Sequence, residues 1–316
     1  MQETLQQLDG IRLNFNQGGL LVLNITLAFI MFGVALEIKI EDFKNIFKNP
    51  KSAIVGIISQ FLLLPVVTFL VAVLLHKWIT PTVALGMILV AACPGGNISN
   101  FISSLAKGNI ALSVSLTAFA TVASLFLTPL NFMFWGRMYT KFLAKVGTDL
   151  VRPLDIPLDQ VFITVFLILG LPVLLGILFK WKFPKLTLKI VKPMKIFSIL
   201  FFSAIIIVSF LNNKEYFVTY IKYVFVLVFI HNFFALSTGY SIASLFKLPK
   251  LDRRSITIET GIQNSGLGLV LLFNEKIFPP DLLIGGMAFI TAWWGIWHIL
   301  AGLSIAFVWS KARFNQ

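Results

Sequence analysis

The stretch ACPGGNISN, residues 92–100, follows the apolar run VALGMILVA and lies where the chain is expected to cross a lipid bilayer. Its Pro-Gly-Gly run at 94–96 interrupts a helix, and residues 97–100 add three amide or hydroxyl side chains. Backbone groups freed by such a break cannot face lipid, so protein must cover them or they must line a watery cavity. A single proline kink is common in membrane helices, but this denser cluster is typical of the broken helices that form transporter sites.

The composition of this 316-residue chain is that of a membrane protein. Hydrophobic residues make up 58% and charged residues 12%, and the mean hydropathy is +0.90, which exceeds what a soluble chain of this length buries. The net charge is +13, but the basic residues lie in short loops between apolar runs. This pattern is typical of helix orientation in a bilayer and not of nucleic-acid binding. We therefore expect a lipid bilayer, no nucleic acid and no obligatory protein partner.

Nine apolar segments are long enough to cross a bilayer, whose core of ~30 Å needs about 20 helical residues. Their unbroken runs exclude a β-barrel, since barrel strands alternate over about 10 residues. The sequence predicts an all-α integral membrane protein with nine transmembrane helices: an outer segment at 1–18, a transporter domain at 19–309 and a cytoplasmic tail at 310–316. We expect no removable signal peptide, because residues 1–18 lack a basic region followed by a cleavage site. The nine spans run approximately over 19–37, 52–75, 81–106, 109–135, 158–179, 197–212, 217–246, 255–274 and 282–309.

The positions of Lys and Arg predict the orientation. An outer N-terminus places 17 of the 26 basic residues in inner loops, six of them in the stretch 180–195, and nine outside. Of the 13 acidic residues, eight fall outside, four inside and one, Glu259, within a span. We therefore expect a multi-pass protein of the cell membrane with its N-terminus outside and its C-terminus in the cytoplasm.

A second interrupted span, ETGIQNSGLGLVLLF at residues 259–273, sets Glu259, Gln263, Asn264 and Ser265 among glycines. One interrupted span in each half of the chain indicates an internally repeated transporter, with its site between the repeats. We expect the site where the two breaks cross.

Glu259 gives the sharpest chemical prediction. An ionised carboxylate within a span costs on the order of 2.5 to 3.5 kcal/mol, so it should have a partner, and no Lys or Arg lies at membrane depth beside it. The neighbouring oxygen-bearing residues suit a hard cation, and Ser113 and Thr117 add hydroxyls to one helix face. Among hard cations, sodium is the most economical assignment for this site. Two alternatives remain open: Glu259 reaches the cytoplasmic interface, or it is protonated and transfers protons.

The two polar stretches closely resemble the sodium and bile acid cotransporter family. The resemblance rests on CPGGNISNFISSLAKGNIALSVSLT at 93–117 and IETGIQNSGLG at 258–268, with further similarity in GIISQFLLLP at 56–65. It implies inverted repeats at about 19–135 and 158–309, a core domain with two crossing discontinuous helices, and a panel domain that moves against the core. Bacterial members commonly have ten spans, so with nine spans here the dimerisation of ten-span relatives is not a basis for an expectation about this chain.

The resemblance also implies two sodium ions held by positions that match the family motif. One sodium site would be made by Ser99, Asn100, Ser113, Thr117 and Glu259. The other would be made by Gln60, Glu259, Gln263 and the backbone oxygens of Thr260 and Ile262.

The substrate expected from the resemblance is a small organic anion, either bile acid-like or a smaller carboxylate, bound near the crossing. Helix ends there offer backbone donors to a carboxylate or sulfonate. Asn97 and Asn264 lie at the two breaks and are predicted to contact it directly. His298 either lines the same cavity or is a buried, hydrogen-bonded histidine.

The sequence thus predicts a sodium-coupled symporter of organic anions that works by alternating access. The alternative is a proton-coupled transporter that uses Glu259 as the proton carrier. A channel or a sensor could also use such broken helices. An enzyme is disfavoured, because the three histidines lie in separate segments and no HExxH, GxSxG or paired-Asp motif occurs.

Overall fold

A computed structural model of the protein describes residues 1–11, 17–48, 50–96, 98–147, 157–212, 214–279 and 282–311. Within these ranges the chain is helical almost throughout, and its one β-type pairing is an isolated antiparallel bridge between Gly95 and Gln263. The prediction of an all-α fold is confirmed.

The described residues form thirteen helices, numbered here in chain order. They are α1 (Gln2–Asp9), α2 (Gln17–Glu37), α3 (Ile40–Lys48), α4 (Pro50–Ile58, Ser59–Leu63 and Leu64–Leu75), α5 (Pro81–Ala92), α6 (Ile98–Leu105), α7 (Ile110–Lys145), α8 (Leu158–Val165, Phe166–Gly170 and Leu171–Lys182), α9 (Pro184–Asn212), α10 (Lys214–Leu245), α11 (Lys250–Gly261), α12 (Ser265–Leu272) and α13 (Gly285–Lys311).

Several of these helices can span a bilayer. In the described part of the chain, five contain a stretch long and apolar enough to do so, namely α4, α7, α8, α10 and α13, while α5 and the second part of α2 are shorter apolar helices. The chain is therefore a multi-span helical membrane protein, and the count of nine spans stays a prediction. The spans expected at 81–106 and 255–274 are each divided, the first into α5 and α6 and the second into α11 and α12.

Two helices contain a π-helical turn directly before a Leu-Pro pair. In α4 the turn Ser59–Leu63 precedes Pro65, and in α8 the turn Phe166–Gly170 precedes Pro172. Proline has no N–H to donate and its ring crowds the carbonyl four residues earlier, so a wider turn lets the helix continue past it. The turn in α4 contains Gln60, one of the expected sodium ligands.

The helices pack in two groups. A three-helix group, α2, α8 and α9, packs mainly on itself, and an eight-helix group, α4–α7 and α10–α13, does the same. α5 lies inside the eight-helix group, with every residue from Val83 to Ala92 buried, as expected for a helix that is apolar on all sides. The division into a core and a panel domain that the resemblance implies, and the movement of one against the other, stay predictions.

The N-terminal segment contains a helix that the sequence prediction does not include. Leu5 and Leu8 of α1 are fully buried, and α1 packs against α5, α10 and α13. The Asp9 carboxylate accepts hydrogen bonds from Thr80 at 3.0 Å and from Thr82, both at the start of α5. α1 is therefore a short helix bound to the eight-helix group.

Two helices extend further than the hydropathy predicts. The basic stretch at 180–195 is expected as a loop, but α9 begins at Pro184 and passes through Pro193 without ending. α7 continues ten residues past the predicted end at 135. Hydropathy marks the part of a helix that contacts lipid, whereas the helix itself continues wherever backbone hydrogen bonds and good helix formers such as Lys and Leu allow.

Candidate functional site

The break between α5 and α6 lies directly against the break between α11 and α12. The N–H of Gly96 donates to the carbonyl of Ile262 at 2.8 Å, and the N–H of Asn264 donates to the carbonyl of Pro94 at 2.8 Å. This short antiparallel pairing satisfies backbone groups that an unbroken helix would pair internally. The two interrupted spans therefore cross, as expected from the sequence.

Gly95 lies where the two breaks approach most closely. A methyl group on Gly95 would collide with Nε2 of Gln60 and lie 3.1 Å from Oε2 of Glu259. The absence of a side chain is what lets the backbone of one break come this near to the polar groups of the other.

The crossing brings together helix ends of opposite polarity. α5 and α11 end here with carbonyls that have no partner within their own helix, and α6 and α12 begin here with N–H groups that have no partner within theirs. Cations are stabilised at helix C-termini and anions at helix N-termini. The crossing can therefore stabilise a cation and an anion close to each other.

Glu259 lies two residues before the end of α11 and is only 1% exposed. Its Oε1 accepts hydrogen bonds from Ser99 at 2.6 Å, from Thr117 at 3.2 Å and from Ser113. Its Oε2 lies 3.2 Å from the same Thr117 hydroxyl. Within the described residues, no Lys or Arg forms an ion pair with this carboxylate, so hydroxyl groups from α6 and α7 are its partners.

The hydroxyl groups around Glu259 have fewer protons to donate than there are acceptor oxygens within hydrogen-bond distance. Ser113 Oγ also lies 2.9 Å from Asn100 Oδ1 and 3.2 Å from Ser103 Oγ, and Thr117 Oγ1 lies 3.1 Å from Asn100 Oδ1. Each hydroxyl has one proton, so several of these oxygens face each other through lone pairs. Such a group of carboxylate, amide and hydroxyl oxygens is suited to a hard cation. The structure thus brings together all five residues expected at the first sodium site.

A second set of polar groups surrounds the C-terminal end of α11. Nε2 of Gln60 donates to the carbonyl of Glu259 at 3.0 Å, and Nε2 of Gln263 donates to the carbonyl of Thr260 at 2.8 Å. The hydroxyls of Ser59 and Thr260 lie 2.7 Å apart. Oε1 of Gln263 is buried and has no hydrogen-bond partner among the described residues. A buried amide oxygen without a partner is costly, and a bound cation or water would remove that cost.

The residues expected to contact the substrate have different surroundings. Asn264 is the N-cap of α12, where its Oδ1 accepts from the N–H of Leu267 at 3.2 Å. His298 on α13 is 5% exposed, and its Nδ1 has no partner within the described ranges. Asn97 lies outside the described residues. The substrate-binding roles of these three residues stay predictions.

Sequence reasoning misses two hydroxyls of the site. Ser103 contacts Ser113, and it lies four residues after Ser99 on α6, so the helical spacing that identifies Ser113 and Thr117 would also have found it. Ser59 contacts α11 beside Gln60, but the π turn that contains both residues is not evident from the sequence.

A further set of polar contacts joins α7 and α11 at their N-terminal ends. Asp252 accepts a hydrogen bond from Asn109 Nδ2 at 2.8 Å, and the Ser255 hydroxyl donates to the carbonyl of Asn109 at 2.9 Å. Ser113 follows Asn109 by four residues and Glu259 follows Asp252 by seven, so each pair lies on one helix face. These contacts fix the register in which α7 presents its hydroxyls to Glu259.

A comparison with known protein families shows which family the chain belongs to. Residues 24–220, more than half of the chain, match the Sodium Bile acid symporter family. The protein belongs to this family. The resemblance expected from the two polar stretches is confirmed, and this member of the sodium bile acid symporter family is a membrane transporter and not an enzyme.

This symporter-family protein is also similar to individual curated transporters. It is 32% identical over 289 residues to the uncharacterized sodium-dependent transporter YocS of Bacillus subtilis (strain 168), covering 92% of this chain and 83% of that protein. It is 29% identical over 279 residues to the probable sodium/metabolite cotransporter BASS2, chloroplastic, of Oryza sativa subsp. japonica, covering 85% of this chain and 63% of that protein. It is 29% identical over 274 residues to sodium/bile acid cotransporter 4 of Mus musculus, covering 86% and 59%. The chain thus spans less than two thirds of the length of the last two relatives.

Proposed function

We propose that this protein is a secondary transporter that couples the inward movement of sodium to the uptake of an organic anion. The observation that supports this most directly is the buried Glu259 carboxylate, surrounded by hydroxyl and amide oxygens at the crossing of two broken helices. Sodium dependence is also part of the names of two relatives, the Bacillus transporter and the rice cotransporter.

Two sodium ions bind at the crossing in this proposal. The first lies among Ser99, Asn100, Ser113, Thr117 and the Glu259 carboxylate. The second lies at the end of α11, with ligands from Gln60, Glu259, Gln263 and the carbonyls of Thr260 and Ile262. An amide group has its oxygen and its NH₂ group at opposite corners, so a half-turn of Gln60 or Gln263 exchanges a donor to a carbonyl for an oxygen ligand to the ion.

The anion binds beside the sodium ions, at the N-terminal ends of α6 and α12. Free N–H groups and the helix dipoles favour a carboxylate or sulfonate there, and the adjacent sodium ions add positive charge. Asn97, Asn264 and His298 are the proposed contacts. The proposed substrate class is a bile acid-like anion or a smaller carboxylate, in keeping with the bile acid and metabolite in the names of two relatives.

The transport cycle follows from coupling between these sites. Sodium fixes the two breaks in the arrangement that binds the anion, so each ligand raises the affinity for the other. The eight-helix group then moves against the three-helix group and opens the site to the cytoplasm. With the N-terminus outside, the inward sodium gradient and a negative membrane interior drive uptake, and two sodium ions with one monovalent anion move net positive charge inward.

Proton coupling through Glu259 is the second candidate. It is favoured by one observation, the full burial of a carboxylate that no basic side chain pairs with in the described part of the chain. Uptake driven by a pH gradient in the absence of sodium would support this candidate over the first.

The first test is the thermal unfolding of the purified protein against sodium concentration, with potassium and choline as controls. A ligand that binds only the folded state raises stability in a saturable way, by about 2.7 kcal/mol at a hundredfold excess over its dissociation constant. We expect this rise with sodium alone, and we expect Glu259→Gln and Thr117→Val to abolish or weaken it.

The matched control is Thr121→Val, four residues along the same helix. The Thr121 hydroxyl donates to the carbonyl of Thr117 at 2.8 Å and lies outside the oxygen cluster, so its loss should leave the sodium response unchanged. Equal stabilisation of the wild-type protein by sodium, potassium and choline would contradict the proposal.

A further inference from the structure

Helix α10 contains a buried asparagine that neither the sodium ligands nor the substrate contacts include. Asn232 is 1% exposed, and its Nδ2 donates to the carbonyl of Gly261 at 2.8 Å. Gly261 is the last residue of α11, directly at the break. An asparagine on another helix thus binds the carbonyl that the interruption of α11 leaves free.

Each backbone carbonyl from 259 to 262 accepts one hydrogen bond, but the donors differ: the N–H of Gly96 donates to Ile262, and side-chain amides donate to the other three. The carbonyls of Glu259 and Thr260 accept from Gln60 and Gln263, whose amides must turn when they bind sodium. The carbonyl of Gly261 is not a proposed sodium ligand, so its bond to Asn232 can persist whether or not the ion is bound. Of the three side-chain amides that donate to this segment, Asn232 is therefore the one whose hydrogen bond does not have to break when sodium binds.

The packing of α10 on α11 keeps Asn232 in place. A methyl group on Gly261 would collide with the side chain of Leu236, and one on Gly239 would lie 2.8 Å from the Cα of Thr257. Asn232, Leu236 and Gly239 are four and three residues apart, so they share the face of α10 that contacts α11. With the helices this close, a short asparagine side chain spans the gap to the carbonyl at 2.8 Å.

We propose that Asn232 is a positioning residue for sodium, and this inference rests on the proposed function. Its amide holds the Gly261 carbonyl, and thereby aims the neighbouring carbonyls of Thr260 and Ile262 and the Glu259 carboxylate at the ion. Without the amide, a buried carbonyl has no partner, and the segment turns to find one.

The test compares the wild-type protein with two variants of Asn232. For each it measures the sodium midpoint, which is the sodium concentration that gives half of the maximal effect, by thermal unfolding and by direct sodium-22 binding. Asn232→Leu keeps the size and branching of the side chain but removes the donor, and we expect the midpoint to rise about tenfold, the usual effect of one buried hydrogen bond. Asn232→Ser is a smaller change whose hydroxyl is too short to span the same gap, and it should weaken binding in the same direction even if Asn232→Leu does not fold.

Thr68→Val is the matched control for a purely structural effect. The Thr68 hydroxyl lies 2.8 Å from Nε2 of His231, the residue before Asn232, and both side chains are fully buried. This contact fastens α10 to α4 and does not involve the break. Thr68→Val should therefore lower the unfolding temperature without sodium and leave the sodium midpoint as it is.

The outcomes separate this inference from the proposed function. A wild-type response to sodium that both Asn232 variants leave unchanged would overturn the positioning role alone. An equal shift in Thr68→Val would also overturn it, because the effect would then come from general loosening of α10. A wild-type protein without any response to sodium would overturn the proposed function and the positioning role together.

Discussion

At the scale of single residues, Gly95 is a position where the site tolerates little change. The nearest atoms to a side chain there are Nε2 of Gln60, at collision distance, and Oε2 of Glu259 at 3.1 Å. Both belong to proposed sodium ligands, so any added atom displaces the ligands themselves.

We expect Gly95→Ala to raise the sodium midpoint at least tenfold and to cost about 1 to 3 kcal/mol of stability, the usual cost of overpacking. Sodium-dependent thermal unfolding measures both quantities. The control is Gly96→Ala, because a methyl group there would meet its nearest atoms, on Gln263 and Ile262, at 3.4 Å, which is ordinary contact. Equal effects of the two substitutions would contradict the assignment of Gly95 as the point of closest approach.

The sequence was sufficient to predict the residues that are costly in a membrane. Glu259 stands out because a lone carboxylate in a span requires a partner, and Ser113 and Thr117 follow from helical spacing. The sequence could not predict Ser59 or Asn232. Their roles depend on which helices pack side by side, and a single asparagine or serine in an apolar helix has no spacing that identifies its partner.

At the scale of elements, α1 shows what a hydropathy pattern leaves out. The helix is short and amphipathic, so it does not resemble a span, and its stability comes from burying Leu5 and Leu8 against the helices beneath it. The π turns are also absent from any pattern, because they depend on how a helix accommodates proline. The long apolar spans, by contrast, were predictable within a few residues at most of their ends.

Asp9 at the end of α1 makes the attachment of this helix dependent on pH. Burial raises the pKa of the Asp9 carboxyl from its ordinary value of 3.8 to about 6, although hydrogen bonds from Thr82, Thr80 and the N–H of Gly286 act in the opposite direction. Between about pH 4 and pH 6 the folded state therefore binds more protons than the unfolded state, and stability falls as pH rises through this window.

We expect Asp9→Asn to remove this loss, because the neutral amide has no charge to bury. Its gain in stability over wild type should grow from pH 4 to pH 6 and then stay constant, reaching up to about 3 kcal/mol. Thermal unfolding of both proteins between pH 4 and pH 8 measures the difference. Glu3→Gln, on the exposed side of α1, is the control and should follow the wild-type curve. Parallel curves for wild type and Asp9→Asn across the window would show that Asp9 is not responsible.

At the scale of the whole molecule, the distribution of charge predicts the orientation in the membrane. If the N-terminus is outside, the exposed side chains of Lys77 and Lys276 face the exterior, and those of Lys51 and Lys250 face the cytoplasm. We expect Lys77→Cys and Lys276→Cys to react with a membrane-impermeant maleimide in intact cells. We expect Lys51→Cys and Lys250→Cys to react only after permeabilisation.

The wild-type protein, which has only its native cysteine, is the negative control for this labelling measurement. Cys93 is its single cysteine and is fully buried, so it should remain unlabelled in folded protein on either side. The opposite labelling pattern would place the N-terminus in the cytoplasm and reverse the direction of transport argued above.

The three-helix group contacts the eight-helix group along α7 and also at α12, and the contact with α12 lies on the side that this orientation places outside. Leu27, Ile168, Leu269 and Val270 form an apolar cluster between the three-helix group and α12. Beside it, Nδ2 of Asn274, just past the end of α12, donates to the hydroxyl of Thr164 on α8 at 2.6 Å. Movement of one group against the other to open the outer side must separate this pair.

We expect Thr164→Val to favour opening toward the outside, because it keeps the shape of the side chain and removes the hydrogen bond that opening would break. A bond of about 1 kcal/mol corresponds to about a fivefold change in the population of the open state. Labelling of Leu269→Cys by an impermeant maleimide in intact cells reports that population, since Leu269 is 7% exposed in the closed contact. The labelling rate should rise about fivefold when Thr164→Val is added.

The labelling rate should not change with Thr238→Val, the control, because among the described residues the Thr238 hydroxyl bonds only to the Phe234 carbonyl of its own helix. A rate that Thr164→Val leaves unaltered would mean that the outer opening does not pass through this contact, and that the two groups separate elsewhere or not at all.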